Sequence, residues 1–202
     1  MRAIEKAAQH LFETRGFADT TVDDIVSRAG VAKGAFYHHY ESKEIVFTNV
    51  LEMIQAGLAR EVAAVSVKAH TPVDMLRLGL GAYVEACHRP RVRQVLLLDG
   101  PSVLGWPRWR EIDDKYFGKM TQRTVAAALG PSAAPLHVSA VAALISGAFA
   151  EAAMLSASGS ASTFTPNDLR AAMDVLLTGL EPRANVEPVT RRRKGAPASG
   201  GY

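Results

Sequence analysis

Apolar positions along this chain recur at three- and four-residue intervals, the spacing of helices that bury one face. Ile4, Ala7, Ala8, Leu11 and Phe12 share a face of a predicted helix over residues 2–15, which Gly16 ends, with Phe17 folding back onto a small core. Val22, Ile25, Val26 and Ala29 form the stripe of a second, short helix. Thr20 and Thr21 each have an aspartate three residues on (Asp23 and Asp24), so either pair can form the capping box that starts it. Gly30 stops it, because a residue without a Cβ takes a left-handed backbone at little cost. A third helix is expected from about Ala32 to Tyr40, with Phe36 and Tyr40 turned inward together. Ser42 can cap a fourth, whose stripe runs Phe47, Val50, Leu51, Ile54, Leu58, Val62 and Val65. Continued to about Val67, that helix is about 37 Å long.

The second half repeats this grammar. Thr71, Pro72 and Asp74 open a fifth helix lined by Leu76, Leu80, Tyr83, Val84 and Cys87. After Pro90, a sixth buries Val92, Val95, Leu96 and Leu97. Asp99 to Trp109 holds both tryptophans, two prolines and two glycines, and reads as a rigid irregular link into a helix over 107–129. Gly130 and Pro131 end that helix. An alanine-rich helix follows over 136–156, then a serine–glycine loop over 156–163, then a helix over 166–180 capped by Thr165 and Asp168. The expectation is an all-α protein of about nine helices.

The third helix carries the chemistry. With Phe36 and Tyr40 buried, Lys33, Gly34, Ala35, Tyr37, His38 and His39 make up the rest of its surface. Small residues allow close approach, and the others reach phosphates or base edges, so the surface suits a DNA groove. A helical hairpin with an ordinary glycine turn and exposed histidines accounts for the same residues. The run IEKAAQHLFETRGFADTTVDDIVSRAGVAKGAFYHHYESKEIVF, about the first 47 residues, resembles the DNA-binding domain of the TetR/AcrR family of transcriptional regulators. The resemblance implies a three-helix, helix-turn-helix DNA-binding domain over 1–47. Lys33, Tyr37, Lys43 and the helix start at Thr21 would meet phosphates; Gly34, Ala35, His38 and His39 would face bases. Lys33, Gly34, Tyr37 and Lys43 match the family pattern closely. Residues 48–181 would be a ligand-binding and dimerisation domain, coupled to the first by the fourth helix, and 182–202 a disordered basic tail. The implied partners are a palindromic double-stranded operator, a small-molecule effector and a second copy of the chain.

Charge adds a constraint. The formal net charge is +3. Arg183, Arg191, Arg192, Arg193 and Lys194 lie in the tail, and residues 1–50 carry six basic against seven acidic side chains. DNA affinity must therefore come from local placement rather than bulk charge. One cysteine, Cys87, excludes an intrachain disulfide framework and suits a reducing cytoplasm. The amphipathic first helix does not read as a secretory leader, and no run of 18 uninterrupted apolar residues marks a membrane partner.

The effector site carries no shared motif. Tyr83, Cys87, Asp99, Trp106, Trp109, Phe117 and Phe149 are its candidates; the alternative is that the tryptophans close the end of the core and Asp99 caps a helix. Val141, Leu144, Ile145, Ala148, Leu155, Leu169, Met173, Leu176 and Leu177 belong either to a dimer interface or to the core beneath it. No cofactor, metal or catalytic residue is expected. GPSVL lacks the second glycine of a nucleophile elbow, Cys87 and His88 are adjacent on a helix and diverge, Asp113 and Asp114 have no histidine at ligand spacing, and no phosphate loop occurs. The reading is a ligand-responsive repressor. The alternatives are a DNA-binding architectural protein without a ligand and, third, a small helical enzyme. A cavity of several hundred cubic ångströms among the fourth to eighth helices would separate the first two.

Overall fold

The computed structural model describes residues 1–157 and 164–180, so the tail and most of the serine–glycine loop lie outside the described residues. Among the described residues the chain is all helical, with nine helices in the expected order. They are α1 (Arg2–Arg15), α2 (Val22–Ala29), α3 (Lys33–His39), α4 (Lys43–Ser66), α5 (Pro72–Cys87), α6, α7, α8 (Pro135–Ala157) and α9 (Pro166–Thr178). Two are composite. α6 is α-helical over Pro90–Arg93, π-helical over Gln94–Asp99 and α-helical again over Gly100–Leu104. α7 runs Trp106–Asp113, widens to a π-turn at Asp114–Gly118, and continues as Lys119–Leu129.

The capping chemistry acts where the sequence places it. Thr21, not Thr20, makes the capping box of α2: the Asp24 N–H donates to its Oγ1 (3.1 Å), and its own N–H donates to the Asp24 carboxylate (2.9 Å). The Thr21 hydroxyl also donates to that carboxylate, and this bond, then the one from the Thr21 N–H, holds the Asp24 carboxyl below its usual range. Thr20 is buried, its hydroxyl donating to the Gly16 carbonyl at 2.8 Å. Gly30 is left-handed at φ +67°. Ser42, Thr71 and Thr165 cap α4, α5 and α9.

The link over Asp99 to Trp109 differs from expectation. It is helical throughout except at Gly105, whose φ of +74° separates α6 from α7. Pro101 has no N–H for the helical ladder, and the widened turn that precedes it accommodates the loss. Gly100 is required by packing: a Cβ there would stand 2.7 Å from the Trp109 ring.

One core runs the length of the molecule. It starts with Ile4, Phe12, Ile25 and Phe36, passes along α4 through Phe47, Leu51 and Leu58, and reaches Trp109, Phe117 and Ala153. α1–α3 close around one end of α4, and α5–α9 pack around the other. Two smaller clusters, around Val125 with Leu177 and around Leu80 with Met173, fasten α9 to the rest. α8 is long and apolar enough to cross a membrane by composition, and one side of it packs on α5, α7 and α9.

Candidate functional site

At the α3 end, Phe36 and Tyr40 anchor the helix in the core, as the spacing requires. The Tyr40 hydroxyl donates to Glu5 on α1 at 2.9 Å, and burial, then that carboxylate, raises its pKa to about 12. The outward face presents Lys33, Gly34, Tyr37, His38 and His39, all exposed, with Ala35 half-buried. Tyr37 rests edge-on against Phe36 at 5.3 Å, so its ring is propped outward. A Cβ on Gly34 would meet nothing within 4 Å. The fold has no use for a glycine there, and a mid-helix glycine lowers helix stability. The exposed start of α2 at Thr21 lies at the edge of the same unit.

The two expected lysines are engaged differently. Lys33 pairs with Asp23 at 2.8 Å, both side chains being more than half exposed, an ion pair that costs little to exchange for a phosphate. Lys43 turns inward. Its ammonium donates to the carbonyls of Phe17 (2.8 Å) and Thr20 (2.7 Å) and sits 3.9 Å over the Phe17 ring. Two of its three N–H bonds therefore fasten the α1–α2 turn to the start of α4.

That turn is also gripped from the body. The Phe17 N–H donates to the Asp99 carboxylate at 2.8 Å, and Gln94 Nε2 donates to the same carboxylate at 3.1 Å. Gly16, at φ +82°, sits so close that a Cβ would meet Gln94 Nε2 at 2.9 Å. Asp99, expected in an effector site, is instead a clasp between the α1–α2 turn and the π-turn of α6. Trp109 is likewise corrected. It is fully buried, its indole N–H donating to the Leu96 carbonyl at 2.7 Å, with Trp106 half-exposed and stacked on it at 5.0 Å. Trp109 fits into the core because α6 carries Gly100 against its ring. Cys87 is buried beside Tyr83, and burial raises its thiol to about 12.

A cavity lies one to two turns further along α7, bounded by α4, α5, α7 and α8. From the expected set, Tyr83, Phe117 and Phe149 line it; Cys87, Asp99, Trp106 and Trp109 do not. It measures about 40 Å³, room for a few water molecules and far less than the several hundred cubic ångströms expected. Its wall is mostly apolar, with Met75, Met120 and the two phenylalanines, and the π-turn of α7 contributes Phe117. Its polar end is Asp113, which is 4% exposed. Asp113 accepts from Gln55 Nε2 (3.2 Å) and from the Tyr83 hydroxyl (3.4 Å), and Arg110 stands 3.5 Å away. Burial outweighs the guanidinium and pushes the Asp113 carboxyl up to about 6. Neither Asp113 nor Gln55 is a sequence expectation. The signal was present: each interrupts an apolar stripe, Gln55 within Leu51, Ile54 and Leu58, and Asp113 within Trp109, Ile112 and Phe117.

The dimer candidates divide. Met173 and Leu177 are buried in the core of one subunit, whereas Leu144 and Leu176 are exposed; Val141, Ile145, Ala148, Leu155 and Leu169 lie between. Leu136, Ala140, Ala143, Leu144 and Gly147 on α8, with Ala172, Val175 and Leu176 on α9, leave an apolar face of small and branched residues open. Among the described residues no cluster of histidine, cysteine and carboxylates could hold a metal.

Comparison with known proteins supplies the family. Residues 4–50 match the model described as bacterial regulatory proteins, tetR family, and residues 73–180, just over half the chain, match the tetracyclin repressor-like C-terminal domain. The HTH-type transcriptional regulator YerO of Bacillus subtilis is 32% identical over 123 residues, 60% of this chain and 41% of that protein. EthR of Mycobacterium tuberculosis is 33% identical over 85 residues, 41% of this chain and 39% of EthR. The aligned region thus spans about two fifths of these relatives' length. A TetR-family regulator from Pectobacterium atrosepticum superimposes with a TM-score of 0.73 at 29% identity, covering 89% of this chain and 93% of that one. The nine helices and both halves of the family pattern agree: the chain belongs to the TetR family of helix-turn-helix, DNA-binding transcriptional regulators.

Proposed function

We propose that this regulator is a cytoplasmic repressor that binds a palindromic operator as a homodimer and is released by a small molecule held in the cavity beside Asp113. The reader is taken as residues 1–47 and the effector and dimerisation unit as 48–181. Two copies joined through the open face of α8 and α9 would place two α3 helices one duplex turn apart, about 34–36 Å. Lys33, Tyr37 and the start of α2 at Thr21 would meet phosphates; Gly34, Ala35, His38 and His39 would face bases. Lys43 is assigned to holding the α1–α2 turn, not to a phosphate.

The observation that carries the ligand-responsive reading is the run of contacts from cavity to reader. Asp113 and Trp109 are one turn apart on α7; Trp109 bonds Leu96 in the π-turn of α6; Asp99 in that turn bonds Phe17 of the reader. An effector that moves this part of α7 acts on a segment already tied to the reading head, and release follows if the two dimer states bind it unequally. The small cavity volume favours the second reading, a ligand-independent DNA-binding protein, unless the cavity opens around its methionines. The deciding experiment selects bound sequences from a random duplex library, then screens compounds for release. A palindromic consensus and a releasing compound are expected; a half-site consensus, or binding that no compound alters, would favour the second reading.

A further inference from the structure

We propose that the cavity selects a small apolar molecule bearing a positively charged amine, with Asp113 as its counter-ion. The inference rests on the ligand-responsive reading and names its effector class.

The polar end is a loosely held carboxylate. The Asp113 carboxylate has three partners, at 3.2, 3.4 and 3.5 Å, all longer than the 2.7–2.9 Å typical of a charged N–H···O bond. Arg110, its cation on the same helix, is shared with Asp114 (3.5 Å) and the Ser146 carbonyl (3.3 Å) and does not line the cavity. Gln55, fully buried beside Asp113, does not line the cavity either, so Asp113 is the group that a guest meets. A buried carboxylate held only by long contacts is a costly arrangement in an apolar wall. A protonated primary amine answers it, since it brings a full positive charge and three N–H donors. An alcohol brings one donor and no charge. A carboxylate would set a like charge against the buried Asp113, where screening is weaker than in water. The rest of the ligand must be apolar, to match Phe117 and Phe149, and compact. Met75 and Met120 in the wall are unbranched side chains able to yield space.

The test titrates the full chain, near pH 7.5, with phenylalkylamines from benzylamine to 4-phenylbutylamine and with the matching alcohols and carboxylates, by calorimetry. At least one amine should saturate at one per chain, about tenfold or more tighter than its alcohol, with its carboxylate weaker still. Asp113→Asn should bring that amine to the affinity of its alcohol and leave the alcohol unchanged. An alcohol or carboxylate that binds as tightly as its amine, an amine affinity that Asp113→Asn does not alter, or no saturable binding in the whole panel would each overturn the class. Adding operator DNA separates the two levels of the argument. Release by an alcohol or carboxylate alone would sink the amine class and leave ligand-responsiveness standing. Amine binding with the stated preference but no effect on DNA would do the reverse.

Discussion

The two ends of the α4 axle put polar chemistry in opposite places. In the reader, α1–α3 close a small apolar core around Phe12, Phe36 and Phe47, and the reactive groups stand outside, on a helix with a glycine its own fold does not need. In the body, the polar anomaly is inside, at Asp113 and Gln55, and the outside of α8 and α9 is apolar. On the function proposed above, the exposed polar face meets a large polyanion and the buried polar pair a small guest. The exposed apolar face of α8 and α9 is a third surface, which a second copy of the chain would cover on the same proposal.

The largest expected effect tests that third surface. Leu176 is 62% exposed, so Leu176→Glu should leave the helical fold intact while placing an unpaired carboxylate in the dimer interface. Sedimentation should show monomers, and operator affinity should fall by about a hundredfold or more, because a single α3 reads one half-site. An unfolded mutant, or a folded dimer with unchanged affinity, would remove the interface from this face.

Next in size is the buried carboxylate. Asp113 has its pKa raised from 3.8 to about 6, so its folded form holds a proton that the unfolded chain has already lost across that window. Stability from this group therefore falls as pH rises from about 4 to 6, and the loss, roughly 3 kcal/mol, is complete above 6. Asp113→Asn abolishes this contribution. The stability difference between mutant and wild type should thus grow in the mutant's favour between pH 4 and pH 7, an order that denaturant melts at several pH values will check. Carboxylates held below their usual range, such as those of Asp24 and Asp74, push the opposite way, but they are common to both proteins and cancel.

What the sequence made legible follows the same division. Caps, glycine stops and stripes are local, so the nine helices, the Thr71 and Thr165 starts and the burial of Phe36 with Tyr40 could be read directly. The outward face of α3 followed from the burial of its partners. The cavity was not legible, because its position depends on four helices meeting. Trp106, Trp109 and Asp99 read either as an effector site or as the closed end of a core with a helix cap; in the fold, Trp109 fills the space that Gly100 leaves and the helix widens to pass Pro101. Lys43 is expected at a phosphate because the family resemblance implies it. Only the carbonyls of Phe17 and Thr20, brought to it by the turn, reveal its use.

A smaller effect tests the connection between the two ends. Asp99→Ala leaves the Phe17 N–H without its acceptor, at a cost of about 1–3 kcal/mol. The substitution lies outside the cavity, so the amine affinity measured by calorimetry should stay within about twofold of wild type, while release of operator DNA by that amine is reduced or lost. Equal release in mutant and wild type would mean that the two ends communicate by another route.

The smallest effect is on stability and has an informative sign. Gly34 stands in the first half of α3 with open space where a Cβ would go. Its φ is not in the left-handed region, so alanine fits without strain. By helix propensity alone, Gly34→Ala should stabilise the reader by about 0.5–1 kcal/mol. If the glycine instead exists to let the α3 backbone approach DNA, the same methyl group should stand between helix and groove. The expected result is a protein that melts slightly higher and binds its operator more weakly, by about tenfold, with the loss greater for operator than for unrelated duplex. Paired melting curves and binding titrations measure both. A variant that gains stability and keeps its operator affinity would show that α3 meets DNA through another face.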